Sequence, residues 1–266
     1  MFSLHGTPDS RLSRHPDENL VASTGARVIT YDRPGYGGSD RDRGRAVADC
    51  AADVAAIADA LHLERFAVSG GSGGGPHALA VASLLGHRVT RAACVVGLAP
   101  FEALGDGWFT GMDPENVKEI GWAMSGEEIL ATELQREYDE FLRKAAIDPS
   151  RMLEEFELCE SDRSVLARPD YIRVELESTK EAGRNGLWGW VDDDLAFVRP
   201  WGFDPSSISV PIQIWFGTSD VFVPPAHGEW LAQNISGAIV HKNDLGHMGN
   251  PDSDVVERYD WLTADS

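Results

Sequence analysis

The sequence predicts an α/β fold in which a mainly parallel sheet, flanked by helices, carries a helical cap. Apolar runs of strand length alternate with helical patterns over residues 1–100 and again over 206–266. Such alternation is typical of parallel strands joined by right-handed crossovers. Residues 101–205 contain helix signals without a convincing strand. We therefore expect a core formed by 1–100 and 206–266, and a helical cap, 101–205, inserted between two of its strands.

The first half of the core is predicted from its hydrophobic periodicity. The segment 46–62 places Val47, Val54 and Leu61 on one helical face, as in an amphipathic helix that covers a sheet. Residues 76–85 are apolar on nearly all sides, which indicates a helix buried at the centre of the fold. Together the patterns predict a short apolar lead at 3–4, strands within 27–31, 66–68 and 92–98, and helices over 16–23, 46–62 and 76–85.

The cap is predicted from its helix boundaries. Asp113 followed by Pro114 is a good helix start, with an acid at the N-cap and proline in the first turn. Further boundaries fall near Ser125, Pro149 and Pro169. Five of the eight tryptophans lie in this stretch. Ordinary packing explains most such residues, but a helical insertion at the carboxyl edge of a sheet resembles a lid over a ligand. The side chains that we expect to contact a substrate are Trp108, Trp122, Trp188, Trp190 and Met248.

Alternation resumes after the cap. The patterns predict strands at 210–216 and 238–241 and helices over 226–233 and 252–262.

A glycine-rich G-x-S-x-G stretch, residues 70–74, lies between the strand at 66–68 and the helix that begins near Pro76. Glycines around Ser72 fit a sharp strand-to-helix turn that exposes a nucleophilic hydroxyl, because larger side chains would collide there. A flexible linker is an alternative, but periodic segments flank the run closely. A Walker-type phosphate loop needs a Lys-Ser or Lys-Thr pair that is missing here, and a dinucleotide loop needs an acid about twenty residues later.

An activated serine needs a base and a carboxylate that holds the base. Asp220 and His247 each follow a predicted strand downstream of Ser72, so a parallel sheet would bring them to the same edge. The chain order Ser, Asp, His is the order of triad residues found in folds that have a G-x-S-x-G turn. Glu102, which follows the strand at 92–98, is the alternative acid.

The oxyanion of an acyl-transfer intermediate needs backbone N–H donors. We expect one donor to be the amide of Gly73, directly after the nucleophile, and the other to be the amide of Thr7, in the loop after the first strand. Pro8 has no amide hydrogen and is excluded.

These residues resemble the α/β-hydrolase superfamily, and its cap-bearing bacterial serine hydrolases in particular. The resemblance implies an eight-stranded sheet, a triad of Ser72, Asp220 and His247, and a cap between the sixth and seventh strands. Its motifs are His5-Gly6-Thr7-Pro8, Tyr31-Asp32-Arg33-Pro34-Gly35-Tyr36-Gly37-Gly38-Ser39, Gly70 to Gly75, Gly217-Thr218-Ser219-Asp220 and Gly246-His247.

The chain departs from the family pattern at two places. Only four residues precede His5, whereas family members have two antiparallel edge strands there, so we expect these strands to be missing and the natural start to lie upstream. Gly71 stands where a larger residue such as histidine is common. We expect it to leave extra room beside the nucleophile.

Composition narrows the classes of partner. A formal charge of −20 argues against binding to nucleic acid or to an anionic membrane, since phosphates would be repelled. We expect the acidic residues, including the cluster 192–194, to form a solvated surface. Three widely spaced cysteines predict neither a disulfide framework nor a zinc site. Without a signal sequence or an apolar span, we expect a soluble, cytoplasmic monomer or homodimer with a small-molecule substrate and neither metal nor cofactor.

The resulting hypothesis is a cofactor-free serine hydrolase, carboxylesterase-like, that acts on a neutral, fairly hydrophobic ester, thioester or lactone. The same residues would also serve hydrolysis of an amide or of a carbon-carbon bond. A third possibility is a ligand-binding protein that has kept the hydrolase pocket without its turnover, because fold alone does not fix function.

Overall fold

The computed structural model describes residues 1–151, 154 and 156–264 and has a parallel five-stranded sheet at its centre. The strands lie side by side in chain order, and each neighbouring pair is parallel. They are β1 Phe2–Leu4, β2 Phe66–Gly71, β3 Val89–Val95, β4 Ile212–Gly217 and β5 Ile239–Asn243. The predicted α/β class with a parallel sheet is confirmed.

The predicted strand at 27–31 is reduced to a single parallel bridge between Phe2 and Ile29. Ser3 N donates to Ile29 O at 2.9 Å, and Ile29 N donates to Met1 O at the same distance. Because the pairing stops after this bridge, 27–31 does not form a full strand. The sheet of the described residues has five strands where the resemblance implied eight, and no described strand lies beyond Ile29.

The helices before the cap cover both faces of the sheet. They are α1 Glu18–Ser23, α2 Cys50–Ala60, which continues a 3-10 turn at Val47–Asp49, and α3 Gly74–Leu84. As predicted from its apolar sequence, α3 is buried from Gly74 to Ala82. It begins two residues earlier than predicted, because the glycines of the turn already adopt helical geometry.

Residues 101–205, here called the cap segment, contain helices joined by turns and loops, and their described part has no strand, only an isolated bridge between Arg184 and Gly186. Asp113 caps its second helix by accepting a hydrogen bond from Glu115 N at 2.9 Å, as its position before Pro114 predicts. The helices are α4 Phe101–Leu104, α5 Pro114–Ser125, α6 Glu127–Ile147, α7 Glu160–Leu166, α8 Pro169–Ala182 and α9 Trp188–Phe197, with 3-10 turns at Gly105–Phe109, Pro149–Arg151 and Pro205–Ser207.

Two further helices complete the fold, α10 Pro225–Asn234 and α11 Pro251–Thr263. A large apolar cluster fills one side of the sheet around α3, and a smaller one lies under α11. None of the described helices is long and apolar enough to cross a membrane.

Parallel pairing brings the carboxyl ends of all five strands to one edge. The loops that begin with His5, Ser72, Thr218 and Asp244 leave the sheet there, after β1, β2, β4 and β5. This is the edge at which open α/β sheets bind their ligands.

Candidate active site

Ser72 occupies a sharp turn between β2 and α3. Its φ of 52° lies in the left-handed region, which is unfavourable for any residue with a Cβ atom. Two glycines make the turn possible: a Cβ on Gly70 would lie 2.1 Å from Gly74 O, and one on Gly74 would lie 2.2 Å from Leu4 O. The turn therefore has the close backbone packing that a nucleophile turn requires and a flexible linker lacks.

Gly71 differs from these glycines. A Cβ at this position would meet nothing within 4 Å, so no close contact requires a glycine. The residue lines the cavity beside Ser72, in agreement with the expectation of extra room next to the nucleophile.

Asp220 and His247 are hydrogen bonded to each other. His247 Nδ1–H donates to Asp220 Oδ2 at 2.8 Å, and Asp220 is only 3% exposed. The other oxygen, Asp220 Oδ1, accepts from Phe222 N and Val223 N at 2.9 Å each. These bonds fix the carboxylate, which in turn fixes the tautomer and the ring plane of His247. Glu102, the alternative acid, is exposed on α4.

The charge around His247 favours its protonated form. Burial lowers the pKa of the imidazole, but Asp220, by its charge and its hydrogen bond, and the charges of Asp162 and Glu175 together raise this pKa above its ordinary value of 6.5. An imidazole with a raised pKa is a stronger base and is better able to hold a proton taken from a serine.

Ser72 and His247 line the same cavity, which has a volume of about 780 Å³. Among the described residues, no hydrogen bond joins the Ser72 hydroxyl to the His247 ring. The cavity is also lined by four of the side chains predicted to contact a substrate, Trp108, Trp122, Trp190 and Met248. Trp108 is at the same time a core residue, since it is 1% exposed and its Nε1 donates to Ala99 O at 2.9 Å.

Trp188 lies elsewhere. Its ring is 41% exposed, and the Arg41 guanidinium stacks over it at 4.1 Å from the ring centroid. The structure therefore does not bring Trp188 to the cavity that Ser72 and His247 line.

The loop after β1 packs against the serine turn. A Cβ on Gly6 would lie 3.6 Å from Ser72 Cβ, and a Cβ on Gly73 would lie 2.4 Å from Thr7 Oγ1. Thr7 and Gly73 both line the cavity. Within the described part of the chain, neither backbone amide donates a hydrogen bond to a protein acceptor. Their assignment to the oxyanion hole stays a prediction.

The acidic cluster 192–194 was predicted to be solvated at the surface, and this prediction is wrong. All three carboxylates are 2% exposed or less, because α9 is buried from Gly189 to Phe197. Asp193 Oδ2 accepts from Thr7 Oγ1 at 2.6 Å, Arg33 Nη2 at 2.6 Å and Tyr36 OH at 2.8 Å.

A second arginine completes this network, with Arg45 Nη2 at 2.7 Å from Asp193 Oδ1. Burial raises the pKa of Asp193, but Arg33 and Arg45 outweigh it and hold the pKa well below its usual range. Asp193 therefore stays charged inside the protein. Since Arg33 also donates to the carbonyls of His5 and Gly6, the network ties α9 to the loop that carries Thr7.

Two buried histidines have structural contacts. His77 donates from Nδ1 to Gly73 O at 2.8 Å, and burial lowers its pKa to about 3, so it is neutral. His227 had the sequence context of a surface or helix-end residue, but it is fully buried. It accepts from Ala99 N at 3.0 Å through Nδ1, and its Nε2 lies 2.9 Å from Trp108 O.

Carboxyl groups from the cap segment and from the loop after β1 also line the cavity: Asp9, Glu119, Glu175 and Asp194. Burial, and then the charge of Asp9, raises the pKa of Glu175 to about 8. Burial raises the pKa of both Glu119 and Asp194, and the neighbouring Glu119 raises that of Asp194 further. These groups therefore bind protons more tightly than ordinary carboxyls, which reduces the negative charge of the cavity at neutral pH.

Glu175 gives the first testable prediction. A carboxyl group whose pKa is about 8 in the native state and 4.5 in the unfolded chain makes the protein less stable as pH rises between these values, because only the unfolded state releases the proton. We expect Glu175→Gln to raise Tm relative to the wild type by more at pH 8 than at pH 5. Thermal unfolding at both pH values measures this difference. An equal difference at the two pH values would contradict the raised pKa.

Sequence reasoning did not find Asp162, Glu175 or Asp193, all in the cap segment. A usable signal for Asp193 was present, since the cluster 192–194 lies within the apolar run from Trp188 to Phe197. Charges inside an apolar helix are more often paired than solvated.

A family model described as alpha/beta hydrolase fold matches residues 1–254. The chain belongs to the α/β-hydrolase family. No curated protein matches it significantly.

Solved α/β-hydrolase structures resemble the whole chain. An α/β-hydrolase fold protein from Nakamurella multipartita is 22% identical, with a TM-score of 0.71, over 98% of this chain and 90% of that one. An enol-lactonase from Burkholderia xenovorans LB400 is 24% identical, with a TM-score of 0.64 over the same shares. A thermophilic esterase from Thermogutta terrifontis is 22% identical, with a TM-score of 0.64 over 98% and 88%. At these identities the likeness establishes the fold alone.

Proposed function

We propose that this α/β-hydrolase is a serine hydrolase that cleaves a neutral, fairly hydrophobic ester, thioester or lactone through an acyl-enzyme. The observation that carries the proposal is the buried Asp220–His247 hydrogen bond of 2.8 Å at the cavity into which the turn carrying Ser72 opens. A base held by a carboxylate, at a cavity that a serine hydroxyl also lines, supports acyl transfer.

The mechanism assigns one role to each group. The Ser72 oxygen attacks the acyl carbon while His247 Nε2 accepts the serine proton, and Asp220 stabilises the imidazolium. The Thr7 and Gly73 amides donate to the oxygen that becomes negative. When the intermediate collapses, the alcohol or thiol leaves with the proton from His247. Water, deprotonated by His247, then attacks the acyl-enzyme. When this second intermediate collapses, the Ser72 oxygen leaves with the proton from His247 and the acid is released.

The cavity supports an uncharged acyl substrate. Trp108, Trp122 and Trp190 supply apolar surface, and the raised pKa values of Glu119 and Asp194 favour neutral carboxyl groups that can donate hydrogen bonds. Among solved structures with this fold, one is an enol-lactonase and others are esterases. Their shared chemistry, cleavage of an acyl C–O bond, belongs to the acyl-transfer class that we propose.

The proposal is tested with p-nitrophenyl acetate, butyrate and octanoate. We expect steady-state release of p-nitrophenol from at least one ester, and complete loss of this activity after treatment with a fluorophosphonate, which phosphonylates activated serines. A wild-type protein that neither hydrolyses any of the esters nor reacts with the fluorophosphonate would show that the serine-hydrolase proposal is wrong.

The pH dependence of kcat/KM gives a second prediction. His247 must be neutral to accept the serine proton, and its pKa lies above 6.5. We therefore expect kcat/KM to fall as pH decreases, with the midpoint above 6.5. Because Glu175 titrates near pH 8 and its charge contributes to the raised pKa of His247, the profile should also be recorded for Glu175→Gln, whose acid limb should persist with its midpoint at lower pH. A midpoint at or below pH 6 in both proteins would contradict the assignment of His247 as the base.

A further inference from the structure

The loop that carries His247 lies between β5 and α11 and is held from outside by the cap segment. Three successive backbone amides donate to two neighbouring residues of α7. Gly246 N donates to Ser161 Oγ at 3.0 Å, His247 N to Asp162 Oδ2 at 2.9 Å, and Met248 N to Asp162 Oδ1 at 2.9 Å. Both oxygens of one carboxylate are therefore used to hold the backbone on which the His247 side chain depends.

Asp162 is a buried acidic residue at the contact between α7 and the His247 loop. It is completely buried, and within the described parts of the chain it forms no ion pair with Lys, Arg or His. A buried carboxylate without a cation is costly unless hydrogen bonds compensate it. The amides of the His247 loop provide this compensation, so the position of the loop and the charge of Asp162 depend on each other.

The close fit is made possible by a glycine in the loop. A Cβ on Gly246 would lie 2.2 Å from Asp162 Oδ2 and 2.4 Å from Cys159 Sγ. Any larger residue at position 246 would separate the loop from α7. The contact therefore depends on residues of both the His247 loop and α7, which are more than eighty residues apart in sequence.

We propose that Asp162 is a positioning residue for the reaction: its carboxylate fixes the backbone of His247 and places a second negative charge, besides Asp220, near the imidazole. This inference rests on the proposed function, since it concerns the base of the proposed triad. It assigns to the cap segment a part in the catalytic apparatus besides contact with the substrate.

The electrostatic part of this role follows from three carboxyl groups near the imidazole. These are Asp220 from the loop after β4, Asp162 from α7 and Glu175 from α8, and each of them raises the pKa of His247 against the effect of burial. On the uncharged side, the Phe222 ring lies 5.2 Å from the imidazole ring. The charge of Asp162 favours the imidazolium that forms while Ser72 attacks, which is the moment at which stabilisation increases the rate.

The test compares Asp162→Asn with Ser161→Ala and Glu160→Gln. Asp162→Asn keeps the shape but removes the charge and presents an NH₂ group to one of the amides. Ser161→Ala removes a hydrogen bond to the same loop without changing the charge. Glu160→Gln removes a charge from the same helix, where Glu160 is exposed and 3.8 Å from Arg163, and serves as the control.

We measure kcat and KM for a p-nitrophenyl ester, with active sites counted by fluorophosphonate titration, and the acid limb of kcat/KM. Asp162→Asn should lower kcat per titrated site by about 10- to 100-fold, the cost of a misplaced base, with KM changed much less. Its acid limb should move to lower pH, since a negative charge near His247 is gone. Ser161→Ala should lower kcat less and leave the limb in place, and Glu160→Gln should match the wild type.

The proposal is overturned if Asp162→Asn lowers Tm but leaves both kcat and the acid limb unchanged. Asp162 would then have a structural role alone. If Asp162→Asn does not fold, Ser161→Ala decides: a kcat per site equal to that of the wild type would then count against a role of this contact in positioning His247. Failure of the wild type to react with the fluorophosphonate would instead reject the proposed function, so the two failures are distinguishable.

Discussion

Replacing Ser72 by alanine is expected to lower kcat by about 10⁴- to 10⁶-fold, the range typical for removal of a nucleophile from a serine triad. The physical reason is that no other side chain at the turn can form the acyl-enzyme. The oxyanion amides and the cavity remain, so KM for a p-nitrophenyl ester should change little. Steady-state kinetics with the purified variant measures both parameters.

The matched control for this variant is Ser83→Ala. Ser83 lies on α3, the helix that follows Ser72, and within the described chain its hydroxyl bonds to Ser207 Oγ alone, at 2.7 Å. Its loss should leave kcat within about twofold of the wild type, because the bond is partly exposed and far from the chemistry. Activity in Ser72→Ala equal to that of Ser83→Ala would mean that turnover uses another group.

Replacing Asp193 by alanine is expected to destabilise the protein by about 3 to 5 kcal/mol, since it leaves Arg33 and Arg45 buried without their counter-charge. Both guanidinium groups lie within 2.7 Å of the Asp193 carboxylate. The loss should appear as a lower free energy of unfolding in urea. Activity should fall as well, because Thr7, whose amide we assign to the oxyanion hole, loses the bond at 2.6 Å that fixes its side chain.

Asp192→Ala is the control for this prediction. Asp192 precedes Asp193 on α9 and is equally buried, but its partner Arg41 is 20% exposed and also pairs with Glu127. Water can solvate the arginine that this variant leaves behind, so the destabilisation should be smaller. Equal losses of stability in the two variants would contradict the special role of the Asp193 network.

The parts of the site that could be predicted from sequence are those fixed by local geometry. The turn around Ser72 needs glycines because neighbouring backbone atoms lie too close to leave room for a Cβ atom. This requirement appears in the sequence as the G-x-S-x-G pattern. Asp220 and His247 could be placed because both follow strands, and parallel strands end at one edge. Their hydrogen bond then follows from the fold, with Glu102 left on the outside.

Contacts between the cap segment and the core could not be predicted in the same way. Asp162 meets His247 across 85 positions, and Asp193 meets Thr7 across 186. No periodicity encodes such pairs. Hydrophilic residues in sequence are usually exposed, so the cluster 192–194 was misassigned to the surface. The strand predicted at 27–31 failed for a related reason, because its apolar residues fit a strand but only Ile29 has a partner in the sheet.

The most direct test of the account is the mass of the intact protein after reaction with a fluorophosphonate, followed by peptide mapping. We expect one adduct per chain, formed by a new phosphorus–oxygen bond at the Ser72 oxygen with loss of fluoride, and no adduct in Ser72→Ala. An adduct on a different residue, or an unmodified wild-type protein, would contradict the claim that Ser72 is the activated nucleophile of this hydrolase.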